Sequence, residues 1–172
     1  MPCTSPVIAD EKKMTKADLQ RWIEQATWHM LSEYTVAWIT AESRFGAELA
    51  NEWIESDNEK IAAAGWSTWS NVVSIKPDNE LDINELSLLL DRVQRDIHSS
   101  QNRVRYAMNG FVIAVGSYVA ALTEKAFSVA DNIGKVSVDM GGTSCNVPLA
   151  SDYLDKILAM NKIGKKKKMA RC

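Results

Sequence analysis

Apolar residues recur every three or four positions through most of the chain, which is the spacing of one face of an α-helix. The first such stripe consists of Leu19, Trp22, Ile23, Ala26 and Met30. It begins after Thr15-x-x-Asp18, a capping box in which a hydroxyl and a carboxylate satisfy free amides of the first helical turn. We therefore predict a first helix over Thr15–Leu31.

The same reasoning predicts seven further helices. Phe45-Gly46 separates the second helix from the third, and the loop at 76–79 separates the fourth from the fifth. Ser56-x-x-Glu59 and Asp82-x-x-Glu85 are capping signals, and Gly134 suits a left-handed C-cap. The predicted helices are 33–43, 47–55, 57–75, 82–99, 102–120, 122–133 and 149–161.

The pattern changes between residues 135 and 148. Lys135–Met140 alternates apolar and polar residues as a short strand does, and Gly141-Gly142-Thr143 is a turn. The glycine pair is not a phosphate-binding loop, because no Lys-Ser/Thr follows it and no helix begins at once. We interpret this segment as an irregular or strand-like connector folded over the last helices of an all-α domain of stacked antiparallel helices.

Two helices also share a short motif at an interval of 45 residues. Ile61-Ala62 and Gly65-Trp66 align with Tyr106-Ala107 and Gly110-Phe111. An Ala-x-x-Gly-aromatic helix at this interval is typical of HEAT and armadillo repeats, whose periods are about 40–47 residues. Chance similarity between two amphipathic helices is the alternative. The small residues would let neighbouring helices approach closely, and Trp66 with Trp69, three apart, would pack in the core.

Composition excludes several classes of protein. The chain has 172 residues, 46% of them hydrophobic, which is enough for one domain with a core and too much for a disordered chain. No apolar run reaches the roughly 18 residues of a membrane span, and the N-terminus has no apolar core of a secretory signal. We therefore expect a cytoplasmic protein with no membrane association.

Cysteine and histidine are too scattered to predict a metal site. The three cysteines are Cys3, Cys145 and Cys172, and the two histidines are His29 and His98. They form no C-x-x-C pair and no zinc-ligand spacing. We expect no metal and no other cofactor.

Charge is distributed unevenly between the body of the chain and its end. The last nine residues carry +5, which leaves −7 on the other 163. A cationic end suggests an acidic partner, although a solvated tail without a partner is the alternative. We divide the chain into an unplaced or disordered segment 1–13, a helical-repeat domain 14–163 and a basic tail 164–172.

Arg103 and Arg105 lie in the first turn of a predicted helix, where the helix dipole disfavours cations. With the amides of the helix N-terminus, two guanidinium groups would make a phosphate clamp. The alternative is an ion pair with Asp91 or Asp96 on the preceding helix. The tail would add salt-sensitive contacts to a phosphate backbone through Lys165, Lys166, Lys167, Lys168 and Arg171.

Four segments together resemble the DNA alkylation repair family of HEAT-like helical-repeat proteins. They are NEWIESDNEKIAAAGW, RVRYAMNGFVIAVGSYV, KVSVDMGGTSCNVPLASDYLDKI and IGKKKKMARC. The resemblance covers about residues 14–172 and implies a HEAT-like α-α superhelix that holds double-stranded DNA by its phosphate backbone. It also implies excision of cationic alkylated purines, which needs a carboxylate and aromatic faces rather than a metal.

The chain departs from the glycosylase pattern of this family, which is Trp-x-x-x-Asp followed by Arg and a second Trp in later repeats. Trp28 matches the first Trp, but Ser32 stands at the Asp position. Glu33 is the nearest carboxylate, and because it comes one residue later, an α-helix turns it about 100° away from the expected Asp position. The Arg position falls among Ala62–Ala64, and Phe111 lies at or near the second Trp.

The candidate catalytic residues are therefore Trp28 and Glu33, and each has a structural alternative. Trp28 could pack between helices, and Glu33 could favour the dipole of a helix N-terminus. A scaffold that binds a protein or peptide without catalysis is the alternative function. Relatives in this family are longer at the front, so an exposed apolar edge of the first repeat could promote self-association.

Overall fold

The computed structural model describes residues 10–142 and 146–171, and within these ranges the chain forms helices and no strands. The first helix α1 spans Lys16–Gln25, and a π-helical segment at Leu31–Val36 continues directly into α2 at Ala37–Glu42. The remaining α-helices are α3 (Gly46–Ile54), α4 (Glu59–Ile75), α5 (Ile83–Asp96), α6 (Asn102–Tyr118), α7 (Thr123–Ile133) and α8 (Ala150–Ala159). Three-residue 3₁₀ turns occur at Asp78–Glu80, Ile97–Ser99 and Ala120–Leu122.

The helices form two layers. The π-helical segment with α2, then α4, α6 and α8, stack side by side in one layer, while α3, α5 and α7 pack behind them. The main core lies between the layers around Trp66, Trp69 and Phe111, each at most 2% exposed. The prediction that Trp66 and Trp69 pack in the core is thus confirmed, as is an all-α domain of stacked helices.

The first helix ends six residues earlier than predicted. The Nζ of Lys60, in the first turn of α4, donates to the backbone oxygens of Glu24 and Ala26 at 3.0 and 2.6 Å. Carbonyls at a helix C-terminus have no partner within the helix, so this ammonium group stabilises the end of α1 there. The contact joins residues 34 and 36 positions apart, which helix periodicity alone does not encode.

Local capping signals were more reliable than the predicted helix ends. Thr15 and Asp18 form both bonds of the capping box, and the Asp82 carboxylate accepts from the Glu85 amide at 3.0 Å. The prediction for α4 was wrong, because its N-cap is Asn58, whose side chain accepts from the Lys60 amide at 3.1 Å. Asn58 competes successfully because its amide oxygen caps as well as a serine hydroxyl.

The two copies of the shared motif lie side by side in the first layer. The rings of Trp66 and Phe111 meet edge to face with centroids 5.2 Å apart. At Gly65 a Cβ atom would lie 2.7 Å from the backbone nitrogen of Ile54, so glycine is needed for the close approach of α3 and α4. The same interpretation is wrong for Gly110, where no described atom would lie within 4 Å of a Cβ.

The connector after α7 packs against α6 without forming a strand in its described part. The side chain of Asn102 exchanges two hydrogen bonds with the backbone of Asp139, at 2.7 and 2.8 Å. Gly134 has φ 54° and ψ −139°, so it has the predicted positive φ but not the left-handed helical conformation. Thr143 of the predicted turn lies outside the described residues, as do all three cysteines.

Residues 164–171, which we call the C-terminal strap, cross the C-terminal ends of three helices of the first layer. The Gly164 amide donates to the Ser117 oxygen at 2.9 Å, and the Lys167 amide to the Ser74 oxygen at 2.8 Å. Farther along, the Ala170 amide donates to the Glu42 carboxylate at 2.7 Å. The basic end of the chain is therefore seated on α6, α4 and α2 in turn.

Within the described residues, no single helix has the length and hydropathy to cross a membrane. The pair Asn102–Tyr118 and Ala120–Ile133 passes the same test by length and composition, but it is bent by 115°.

Candidate nucleic-acid interface

A groove of about 370 Å³ lies on the first layer, beside the strap. Four parts of the chain form its walls. They are the π-helical segment with α2, α4, α6 and the strap. The groove is lined by Glu33, Tyr34, Trp38, Ser67, Ser70, Asn71, Tyr106, Ala107, Gly110, Lys167, Ala170 and Arg171. Aromatic rings, small polar groups and the cations of Lys167 and Arg171 are thus brought to one surface. The Nζ of Lys167 also lies 5.7 Å from the centroid of the Tyr118 ring, a cation–π contact.

Glu33 is held at the edge of this groove by Arg103. The Nε and Nη2 of Arg103 donate to the two carboxylate oxygens at 2.8 and 2.5 Å. The Glu33 side chain is only 2% exposed and that of Arg103 17%. Hydrogen bonding to Glu33 is the main cause that raises the pKa of Arg103 above its usual value, although burial opposes it. Within the groove the Glu33 charge is therefore neutralised.

Glu33 lies in the π-helical segment. The Ala37 amide bonds back to the Ser32 oxygen, a step of five rather than four residues. A π-helical turn contains one extra residue, and such turns are frequent at functional sites. The side chain of Glu33 is buried and bonded to Arg103.

Tyr106 connects the ion pair to the aromatic wall. The guanidinium carbon of Arg103 lies 4.6 Å from the centroid of the Tyr106 ring, a cation–π contact. Burial is the main cause that raises the pKa of Tyr34 to about 12, and the neighbouring phenol of Tyr106 adds to the rise. Tyr34 in turn meets Trp38 edge to face with centroids 5.7 Å apart.

The cations of the strap point to different surroundings. Lys166 is committed to the protein, because its Nζ bonds the Val73 oxygen at 2.9 Å and the Asp78 carboxylate at 2.7 Å. Lys165 and Lys167 line a second hollow with Lys162, and Lys168 and Arg171 line a third with Glu42 and Glu80. Of the described strap cations, Lys167 and Arg171 also line the groove itself.

Arg103 and Arg105 have different surroundings, since Arg103 is paired with Glu33. Asp91 and Asp96, the alternative partners, are bonded to Lys125 and Arg95 instead. Arg105 has no ion pair with a described residue, and its Nε is buried without an acceptor in the described part of the chain. Binding of DNA by either arginine stays a prediction.

Trp28 and Glu33, the predicted catalytic residues, differ in their exposure to solvent. Trp28 lies in the non-helical residues between α1 and the π-helical segment, where it is 58% exposed and meets His29 edge to face. Glu33 is 4% exposed. The exposed ring excludes packing between helices, and the buried carboxylate is held by a guanidinium group rather than by a helix dipole.

Most of the groove was missed by sequence reasoning. Tyr34 and Trp38 line the groove and meet edge to face, whereas the sequence marks Tyr106 only as part of a repeat. A weaker signal lies in α4, where Ser67, Ser70 and Asn71 interrupt an otherwise buried helix. Polar residues spaced three or four apart in a core helix mark a face that is not covered by protein.

Comparison with known proteins agrees with this architecture. Residues 6–135 match the model of the DNA alkylation repair enzyme family. The chain belongs to that family. Two relatives from Listeria innocua and Listeria monocytogenes, both uncharacterized, are 35% and 34% identical over 146 residues, or 84% of this chain. The chain spans 62% of the length of these family members.

A solved structure extends the comparison to the fold. It belongs to a new family of proteins related to the HEAT-like repeat DNA glycosylases with affinity for branched DNA structures. That protein is 35% identical to this chain and superposes on it with a TM-score of 0.90. The match covers 97% of this chain and 71% of that protein. The HEAT-like arrangement is thereby established for this family member.

Within the described residues, no three His, Cys, Asp or Glu side chains come together in a way that could hold a metal ion.

Proposed function

We propose that the chain binds DNA through its phosphate backbone, with a preference for branched over linear duplex, and does not excise bases. The observation that carries this proposal is the charge of the groove. Its one acid, Glu33, is neutralised by Arg103, which leaves Lys167 and Arg171 as a net positive charge. A positive groove favours a nucleic acid over a basic or neutral peptide.

The branched-DNA preference is supported by the solved relative, which has a similar fold over nearly the whole chain. A branch presents several phosphate strands at once. The cations of the groove come from the strap, which is distant in sequence from α4 and α6. A surface built from several segments suits a branched DNA better than a single recognition helix does. We infer contacts to phosphates rather than to base edges in a groove of duplex DNA.

Excision by Glu33 is disfavoured by its contacts. A carboxylate stabilises a cationic sugar only when it is free to face it, and both oxygens of Glu33 are bonded to Arg103. Freeing it would break a charge-assisted bidentate pair, which is among the strongest protein hydrogen bonds. Trp28 is exposed and its ring contacts His29, whereas Glu33 is buried.

The test is fluorescence anisotropy with a labelled three-way junction and a linear duplex of equal length. We expect tighter binding of the junction, and a shallower salt dependence for Lys167→Ala and Arg171→Ala, by about one phosphate contact each. Lys13→Ala is the matched control, because Lys13 is 84% exposed and pairs only with Asp10 among the described residues. Failure to bind either DNA at about 50 mM salt would overturn the proposal and leave the scaffold alternative.

A further inference from the structure

We propose that the groove holds one unpaired nucleotide, with its base against Tyr106 and Tyr34 and its phosphate on Lys167 and Arg171. This inference rests on the proposed function, because it names the part of a branched DNA that the protein would recognise. The volume of about 370 Å³ falls within the range of pockets that hold small molecules.

The aromatic wall is suited to stacking because its rings are held in place before any ligand arrives. Arg103 covers one face of Tyr106, and the Tyr106 phenol also interacts with Tyr34. Tyr34 is fixed further by the edge of Trp38. Rigid aromatic side chains lose little conformational entropy on binding, and nucleobases stack on them with little regard to sequence.

The part of the groove on α4, which lies between α2 and α6, offers hydrogen-bond acceptors. The Nδ2 of Asn71 donates to the Ser67 oxygen at 2.8 Å, and the Ser70 hydroxyl donates to the Trp66 oxygen at 2.9 Å. Because these donors are committed within α4, the Asn71 Oδ1 and the Ser70 oxygen remain as acceptors. Every nucleobase carries an N–H donor on its pairing edge, and that edge is free only when the base is unpaired.

The charged rim fits the rest of a nucleotide. Lys167 and Arg171 are both exposed and lie four residues apart on the strap, beside the aromatic wall. The backbone of the strap fixes them there through the Lys167 and Ala170 amides. Two cations next to rings and acceptors match the phosphate, base face and base edge of a single nucleotide.

The test compares a three-way junction that carries one unpaired thymidine at the branch with the same junction carrying an abasic residue there. A five-nucleotide single strand, intact or with one abasic residue, is the second probe. We expect the missing base to weaken binding of both probes by about tenfold, in line with stacking of one base on an aromatic side chain. Tyr106→Leu should remove this difference, whereas Tyr106→Phe, which keeps the ring, should retain it.

Tyr153→Leu is the matched control, because Tyr153 is a 43% exposed tyrosine on α8 outside the groove. Asn71→Leu serves as a second test if Tyr106→Leu fails to fold, and it should also reduce the effect of the missing base. Junction binding that is indifferent to the missing base would overturn the inference and leave the proposed function intact. If the missing base weakens binding of both probes but the protein binds branched and linear duplex equally well, the inference is supported and the preference for branched DNA is overturned. No binding of the intact single strand would overturn the inference.

Discussion

Glu33 and Arg103 are 70 positions apart in sequence and form a two-bond ion pair in which the carboxylate is almost entirely buried. The pair joins the π-helical segment to the first turn of α6. It also places the carboxylate predicted to act in catalysis against one of the two arginines predicted to bind phosphate. These two residues therefore bind each other, and the groove lies beside them.

Removing one member of this pair should destabilise the protein. Arg103→Met leaves a buried, unpaired carboxylate, which we expect to lower the free energy of unfolding by about 3 kcal/mol. The double variant Glu33→Gln, Arg103→Met removes the unpaired charge and should recover much of that loss. Urea denaturation measures both. Arg95→Met is the control, since its ion pair with Asp96 is exposed and should matter little; equal losses for Arg95→Met and Arg103→Met would contradict the expectation.

Base excision should be absent. Incubation with DNA carrying N7- or N3-alkylated purines is expected to release no free base above the spontaneous rate, because Glu33 is not available to a cationic sugar. Chromatography of released bases measures this directly. Release that disappears in Glu33→Gln, with folding retained, would show that the pair opens on substrate and would restore Glu33 as a catalytic residue.

The strap should be protected from proteases in proportion to its contacts. Lys166→Met removes the bonds to Val73 and Asp78 and should speed tryptic cleavage at the remaining strap lysines several-fold. Lys165→Met also removes one cleavage site but changes an exposed side chain, which makes it a matched control. Mass spectrometry of a digestion time course gives the rates. Equal cleavage of the two variants would contradict the docked position of the strap.

Alkaline pH should weaken the fold through Tyr34. Its pKa is raised to about 12 in the folded protein, chiefly by burial, against about 10 for an exposed tyrosine. The folded state therefore holds the Tyr34 proton more tightly than the unfolded state does. The stability that neutral Tyr34 contributes is present below pH 10 and is lost as the pH rises towards 12. Unfolding experiments across this range should show a smaller decline for Tyr34→Phe, and an unchanged decline would argue against the burial.

Self-association through the first repeat stays a prediction, and the structure identifies residues with which to test it. Trp28, Met30 and Leu31 are 58%, 39% and 41% exposed. If they form an interface, light scattering should give a mass above 19.1 kDa that rises with concentration and returns to the monomer value in Trp28→Ser. Leu88→Ser, at a 69% exposed site on α5, is the control. A monomer mass for the unaltered chain at every concentration would exclude this edge as an interface.

The fold was predictable because its signals are local. Apolar stripes three or four residues apart gave the helices, and the Asp82 and Thr15 caps needed only residues three positions away. The groove was not predictable, because its parts depend on contacts between distant segments. Lys60 ends α1, Arg103 pairs with Glu33 across 70 positions, and the C-terminal strap lies against helix ends although its sequence resembles a free tail.

Repeat arrays ordinarily gain stability from contacts between neighbouring units, so that they can unravel one unit at a time from either end. The hydrogen bond between Ala170 and Glu42 spans 128 positions and links the last residues of the chain to the first layer's opening helix. The strap, which follows α8, thereby connects the last helix of the first layer to α2. Because loosening one end would break contacts at the other, the two layers of helices should melt as a single cooperative unit rather than in sequence.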